Sequence, residues 1–179
     1  MSGKLTLISS ATASNSASVE FTSGIDSSYD EYQIWYLDIN PSTNNVYWEI
    51  QFSTDGGSSY GVAVTNTFFD VTNNEADYNS GPTYQTGEDV AQSTSYFRIA
   101  RSIGNGSDET ASGTFTLYNP SSSSKVKHFI ARSQQYRQDD ASQENYVAGY
   151  ANTTSPIDAV SMRISSGNFD GQIYLFGVS

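Results

Sequence analysis

From Leu5 to Val178 the apolar residues recur two apart, and no stretch sustains the three-and-four spacing of a helix face. That period constrains the fold more than any other feature, because residues two apart share one face of a strand and do not share a face of a helix. The cleanest case is 46–52, where Val46, Trp48, Ile50 and Phe52 fall on one face and Tyr47, Glu49 and Gln51 on the other. Further strands are expected from Leu5 and Leu7, from Val19 and Phe21, and over 32–39, 60–69, 96–101, 114–118, 125–133, 146–150, 159–164 and 172–178. The last follows turn residues Gly167, Asn168, Asp170 and Gly171 and sets Ile173 and Leu175 against Tyr174 and Phe176.

The connections carry the matching turn chemistry. In Asn40-Pro-Ser-Thr-Asn-Asn45 the proline fixes φ and the asparagines accept left-handed geometry, so strands 32–39 and 46–52 are expected to be antiparallel neighbours. Asp55-Gly-Gly-Ser-Ser59 supplies the next turn. The rhythm stops over 73–95, a polar stretch holding Gly81, Pro82, Gly87 and four acids, which reads as a long loop with a job. Segment 134–145 is polar too and reads as a short helix or a projecting loop; the serine tracts 9–18 and 121–124 read as turns. Some ten short strands with Gly, Asn and Ser turns indicate an all-β chain, a two-sheet antiparallel β-sandwich of jelly-roll type rather than an immunoglobulin-like one. At 179 residues the chain is expected to form one domain, 1–179, able to bury about 70% of its unfolded surface without staples.

No staple is available, since there is no cysteine, and that removes disulfides, thiolate metal sites and a thiol nucleophile. The single histidine, His128, excludes sites that need two imidazoles. Only 15% of residues are charged, against about a quarter in an average domain, with serine, threonine, asparagine and glycine in their place. The net charge is -11, which disfavours nucleic acid as a partner. No apolar run approaches the ~18 residues of a membrane span, and the first residues carry no secretory apolar region, so neither membrane nor export is expected.

Candidate chemistry is sparse. Gly104-Asn-Gly-Ser-Asp-Glu109 follows a strand but lacks the third glycine and the helix of a dinucleotide loop, so it reads as a hairpin turn. The acid pairs Asp30/Glu31, Glu88/Asp89, Asp108/Glu109 and Asp139/Asp140 sit in loops or at strand edges, whereas a glycosidase needs two carboxylates projecting into one cleft. Glu49 is the only mid-strand acid and, opposite in phase to Trp48, is expected to be solvated. No EF-hand loop is present, and no cofactor is expected. His128, in phase with Val126 and Ile130, reads as a half-buried structural residue. Around it cluster Lys125, Lys127, Arg132 and Arg137, half of the eight basic residues, a patch suited to an acidic partner or to guarding a strand edge. Aromatics make up 13% of the chain, and the loop tyrosines Tyr78, Tyr84 and Tyr136 are the expected interface anchors.

Four segments together carry a family likeness: Ser2-Gly-Lys-Leu-Thr-Leu-Ile-Ser9, Gly24-Ile-Asp-Ser-Ser-Tyr-Asp-Glu-Tyr32, Phe52-Ser-Thr-Asp-Gly-Gly-Ser-Ser-Tyr60 and the terminal strand Ile173-Tyr-Leu-Phe-Gly-Val178. This phrasing resembles small jelly-roll virion structural proteins of tailed bacteriophages, cyanophages among them. The resemblance implies a non-enzymatic protein of the particle exterior, a head decoration or cement protein. It would be a homotrimer in contact with the major capsid protein or other virion proteins, located in the virion after assembly in the host cytoplasm. The alternative that the same resemblance implies is a tail-fibre or baseplate module that binds a receptor or glycan.

Overall fold

The computed structural model describes residues 3–179. Its regular elements are β1 (Leu5–Ser16), β2 (Ser18–Phe21), β3 (Glu31–Pro41), β4 (Val46–Ser53), β5 (Val64–Asn74), β6 (Asn79–Tyr84), β7 (Phe97–Ile103), β8 (Ala111–Tyr118), β9 (Lys127–Arg137), β10 (Ala141–Ala151), β11 (Ala159–Ile164) and β12 (Phe169–Val178). Among the described residues there is no helix, hence none long and apolar enough to cross a membrane.

All strand pairs are antiparallel, and the hydrogen-bonded path runs β1-β12-β3-β8-β9-β7-β4-β11-β2. Strands β10, β5 and β6 branch from β9, whose link to β7 is a single pair, Ile103 with Arg137. The two ends of the path, β1 and β2, are consecutive in the chain. One large sheet therefore curls back until it nearly closes into a barrel.

Strands β3 and β4 are not neighbours, contrary to the expectation from their connector. β3 lies between β12 and β8, and β4 between β7 and β11. Alternation dictates which face of a strand is apolar but not which strand lies beside it. The connector bonds outward instead of closing a hairpin: Ser42 N donates to Asn168 O at 2.8 Å, and Asn168 N donates to Ser42 Oγ at 2.9 Å. The chain thus arches over the core, and Tyr36 of β3 faces Trp48 of β4 with ring centroids 5.9 Å apart. Phe52 stands 5.6 Å from Phe97, 5.9 Å from Phe115 and 5.9 Å from Phe129, so β4 packs across the barrel on β8 and β9. Pairs of this kind add about 0.5–1.5 kcal/mol each beyond the area they bury.

Three further segments depart from the sequence reading. Serine-rich 9–16 is strand rather than turn, paired to β12 with bulges after Leu7 and after Ala13. Segment 73–95 is not one loop: β5 continues to Asn74, β6 returns beside it, and 85–95 remains irregular. Segment 134–145 is neither helix nor loop but the β9–β10 hairpin, paired from Lys127 with Ala151 to Arg137 with Ala141. Serine tract 121–124 is a turn, as expected.

Candidate functional site

The β5–β6 and β9–β10 hairpins lie side by side, joined through the β5–β10 pairing, and their tips meet. Each tip turns on an aspartate with positive φ, Asp77 at 59° and Asp140 at 55°, a conformation that Asp tolerates better than most residues. Asn74 Oδ1 accepts from Ala76 N at 3.1 Å and Tyr78 N at 2.9 Å, closing the first turn. Glu75 N donates to Asp140 O at 3.1 Å and so ties the two tips together. The Tyr136 hydroxyl lies 3.2 Å from Glu75 Oε1 and 3.3 Å from Asp140 Oδ1. Burial and then these two carboxylates push its pKa up to about 12. Tyr78, Tyr84, Tyr136, Arg132 and Arg137, chosen from sequence as loop or patch residues, are thus brought to these two hairpins.

Register decides what their outer face presents. Tyr84 of β6 pairs with Phe69 of β5, Phe69 with Tyr146 of β10, and Tyr146 with Arg132 of β9. The same row continues through Thr114, Trp35, Tyr174 and Ser10 across β8, β3, β12 and β1. Phe69 and Tyr146 stack at 4.9 Å and 8°, and Arg132 caps the Tyr146 ring at 5.5 Å while pairing with Glu144. Phe69, Tyr84 and Ile130 remain 38%, 49% and 52% exposed. At the far end of the sheet Trp35 packs on Phe176, with Leu7 exposed beside it. The outer face accordingly carries an aromatic cluster at either end of this row.

The inner face of the same hairpins is polar and buried. Gln143 Nε2 donates to Asp70 Oδ2 at 2.6 Å, Gln85 Nε2 to Asp70 Oδ1 at 3.0 Å, and Gln135 Nε2 to Gln143 Oε1 at 2.9 Å and to Arg101 O at 2.7 Å. Asn145 Nδ2 donates to Gln135 Oε1, leaving Asn145 Oδ1 without a partner. Arg101 Nε lies 2.8 Å from Asp70 Oδ2, yet its N–H is not aligned for a hydrogen bond there. These residues continue the inward phase of Phe129 and Ala131 along β9 and of Val147 along β10. The signal that could have found them was that continued phase, carried by amides instead of apolar side chains. Beside Asp70 and Arg101 a cavity of about 300 Å³ opens under β6, with Tyr78 and Arg137 in its wall.

The four basic residues around His128 do not form a patch. Lys127 points inward and is fully buried, its Nζ donating to Ser155 O at 2.7 Å and Thr153 O at 3.1 Å. Arg132 and Arg137 are paired with Glu144 and Asp139, which leaves Lys125 exposed near the start of β9. His128 itself is exposed rather than half-buried, because the inward phase belongs to Lys127 and Phe129. Glu49 reverses its expectation as well: it is 7% exposed under Arg163, and burial outweighs the Arg163 and Arg98 charges to raise its pKa.

Glu49 and Glu88 share a groove on the face of β4 and β7 with Tyr96, but guanidiniums hold both: Arg163 bonds Glu49, and Arg98 bonds Glu88. Arg98 also lies 3.8 Å from the Tyr47 ring centroid, and Arg163 3.9 Å from that of Tyr96. A general acid needs a carboxyl free to reach substrate, and this interlocked ladder commits both carboxylates to structure. Among the described residues no group of three or more His, Cys, Asp or Glu side chains converges as metal ligands would. Comparison with protein-family models, with curated proteins and with solved structures finds no match to this chain.

Proposed function

We propose that this chain is a non-enzymatic structural protein of a phage particle's exterior, a capsid decoration or cement protein acting as a homotrimer. Its partners in this reading are the major capsid protein or neighbouring virion proteins, and its location is the virion, assembled in the host cytoplasm. The barrel is then a jelly-roll-like sandwich, with β7-β4-β11-β2 as one leaf stitched to the other at Ile103 and Arg137.

The observation that carries the reading is the row Tyr84, Phe69, Tyr146 and Arg132 on the outer face, with Ile130 beside it. Aromatic and arginine side chains set on the strands of a sheet supply contact area at little entropic cost, the composition of interface cores. Contiguous apolar area of this kind marks association surfaces in proteins stable alone.

The test is the copy number and position of the protein in assembled particles, with light scattering of the purified chain. Hundreds of copies over the head and a trimeric mass are expected, and Phe69→Ser with Ile130→Ser should lower both occupancy and mass while the circular dichroism stays unchanged. A handful of copies at the tail would favour the fibre or baseplate reading. Full occupancy by the double variant would remove this surface from the assembly.

A further inference from the structure

On the side of the hairpins opposite the aromatic row, the cavity under β6 has the makings of a second site. Its volume is about 300 Å³, at the lower end for small-molecule pockets and enough for one ring-sized ligand. Asp70 is 2% exposed and forms part of its wall, with Arg101 beside it and the hydroxyls of Thr72, Ser80 and Thr83 around it. Tyr78 lines the cavity and as a residue is 76% exposed, while its backbone is fixed at both ends: Asn74 Oδ1 accepts from Tyr78 N at 2.9 Å, and Tyr78 O accepts from Asn74 N at 3.1 Å. The backbone that carries the ring is thus positioned before any ligand arrives, which reduces the cost of binding.

Charge balance narrows the ligand. Arg101 pairs with Asp70 and Glu88, Arg98 with Glu88, and Arg137 with Asp139 at 2.8 and 3.0 Å. Three guanidiniums thus face three carboxylates, so neither a phosphate nor a metal cation finds an uncompensated partner. An apolar ligand would strip water from this wall and leave its polar groups unpaired. What remains is a wall that holds both carboxylate acceptors, Asp70 and Asp139, and guanidinium donors, Arg137 and the 21% exposed side chain of Arg101. A neutral group that both donates and accepts at adjacent positions fits this wall: each sugar hydroxyl can give a hydrogen bond to a carboxylate and take one from a guanidinium. The exposed face of Tyr78 suits the C–H face of a pyranose ring.

We infer that this cavity binds one neutral monosaccharide residue, with Asp70, Arg101 and Arg137 as polar contacts and Tyr78 as the stacking ring. The inference uses the inner side of the hairpins and stands independently of assembly through their outer side. The experiment titrates the isotope-labelled full chain with methyl glucoside, methyl galactoside and N-acetylglucosamine, and separately with inorganic phosphate, following backbone amides by NMR. At least one sugar should shift the amides of Thr72, Ser80, Thr83 and Gln85 saturably, with Kd of about 1–10 mM, and phosphate should not. Tyr78→Ala, at an exposed ring, and Arg137→Gln, at the rim, should each weaken the affinity about fivefold or more with the remaining spectrum unchanged. Absence of saturable shifts with all three sugars, tighter binding of phosphate, or sugar binding undiminished in both variants would overturn the assignment.

Discussion

Lys127 Nζ lies 2.7 Å from the carbonyl oxygen of Ser155, so a fully buried ammonium is anchored by backbone of the segment between β10 and β11. The second anchor is Thr153 O at 3.1 Å. Carbonyl dipoles compensate the charge only partly, and burial lowers the lysine pKa from its usual 10.5. Lys127→Met should leave both carbonyls unpaired and cost about 1–3 kcal/mol in urea unfolding near neutral pH. The sign of the pH effect follows from the lowered pKa. Between the folded and unfolded values the unfolded chain holds the extra proton, so this group makes stability rise as pH increases toward 10.5. Urea midpoints of the variant should lack that contribution, and the gap to the parent should widen with pH.

Asp55 gives a dependence of the same sign at the acid end of the pH scale. Its Oδ1 accepts from Ser53 Oγ at 2.7 Å and Ser59 N at 2.9 Å, and its Oδ2 accepts from Ser59 Oγ at 2.6 Å. The Ser53 hydroxyl first, then Ser59, draw the pKa down to about 2 from 3.8. Stability from a depressed carboxyl is fully present above the unfolded pKa and disappears as pH falls through the folded one. Asp55→Ala should therefore lower Tm at pH 7, and the deficit should shrink between pH 3.8 and about 2 as the parent loses its carboxylate. A deficit constant across that window would contradict this account.

The strands were legible in the sequence wherever the inward face is apolar. Val46 to Phe52, Phe97 to Arg101 and Ile173 to Val178 all fall on strands, with Val46, Trp48, Ile50, Phe52, Phe97, Ile99, Ile173 and Leu175 inside. The same period failed at 134–145, since Gln135, Gln143 and Asn145 are inward residues that hydrogen-bond one another, and a hydrophobicity pattern scores them as surface. Lys127 failed for the same reason with a charge in place of an amide. Pairing was less legible than strand location, as the β3–β4 connector shows: a proline and two asparagines permit a turn without deciding whether the chain returns beside itself or across the core. Of the residues chosen from sequence, Tyr78, Tyr136 and Arg137 lie on these two hairpins. Asp70 and Gln143 come together through the β5–β10 register and Arg101 reaches Asp70 from β7, long-range placements that no local segment encodes.

Close approach of β8 to β9 rests on Gly113. A Cβ there would stand 2.3 Å from Arg132 O and 2.9 Å from Ser133 Cα, both backbone atoms of the adjacent strand, and 2.7 Å from the Tyr36 hydroxyl. Neither strand can yield without breaking the ladder beside the buried Tyr36–Ser133 hydrogen bond. Gly113→Ala should cost at least about 2 kcal/mol in denaturant unfolding, whereas Thr114→Ala, at the next and exposed position, should stay within about 0.5 kcal/mol of the parent.

The polar interior allows a sharper test than deletion. Gln143 stands between Asp70 and Gln135, giving its amide N–H to the first and accepting on Oε1 from the second. Replacing it with glutamate keeps the shape but removes the donor and sets a second carboxylate against Asp70 in a site closed to water. At neutral pH Gln143→Glu should cost about 3 kcal/mol or more, the scale of an uncompensated buried charge. Protonation restores both the donor and neutrality, so the new carboxyl's pKa should be raised above its unfolded value. A raised acid favours the fold below the unfolded pKa and loses that stability as pH rises through the folded one. The variant's urea midpoint should therefore approach that of the parent as pH falls toward about 4.5 and separate from it as pH rises toward 7.5. A deficit equal at both ends would mean that Asp70 and position 143 do not share the closed network placed there.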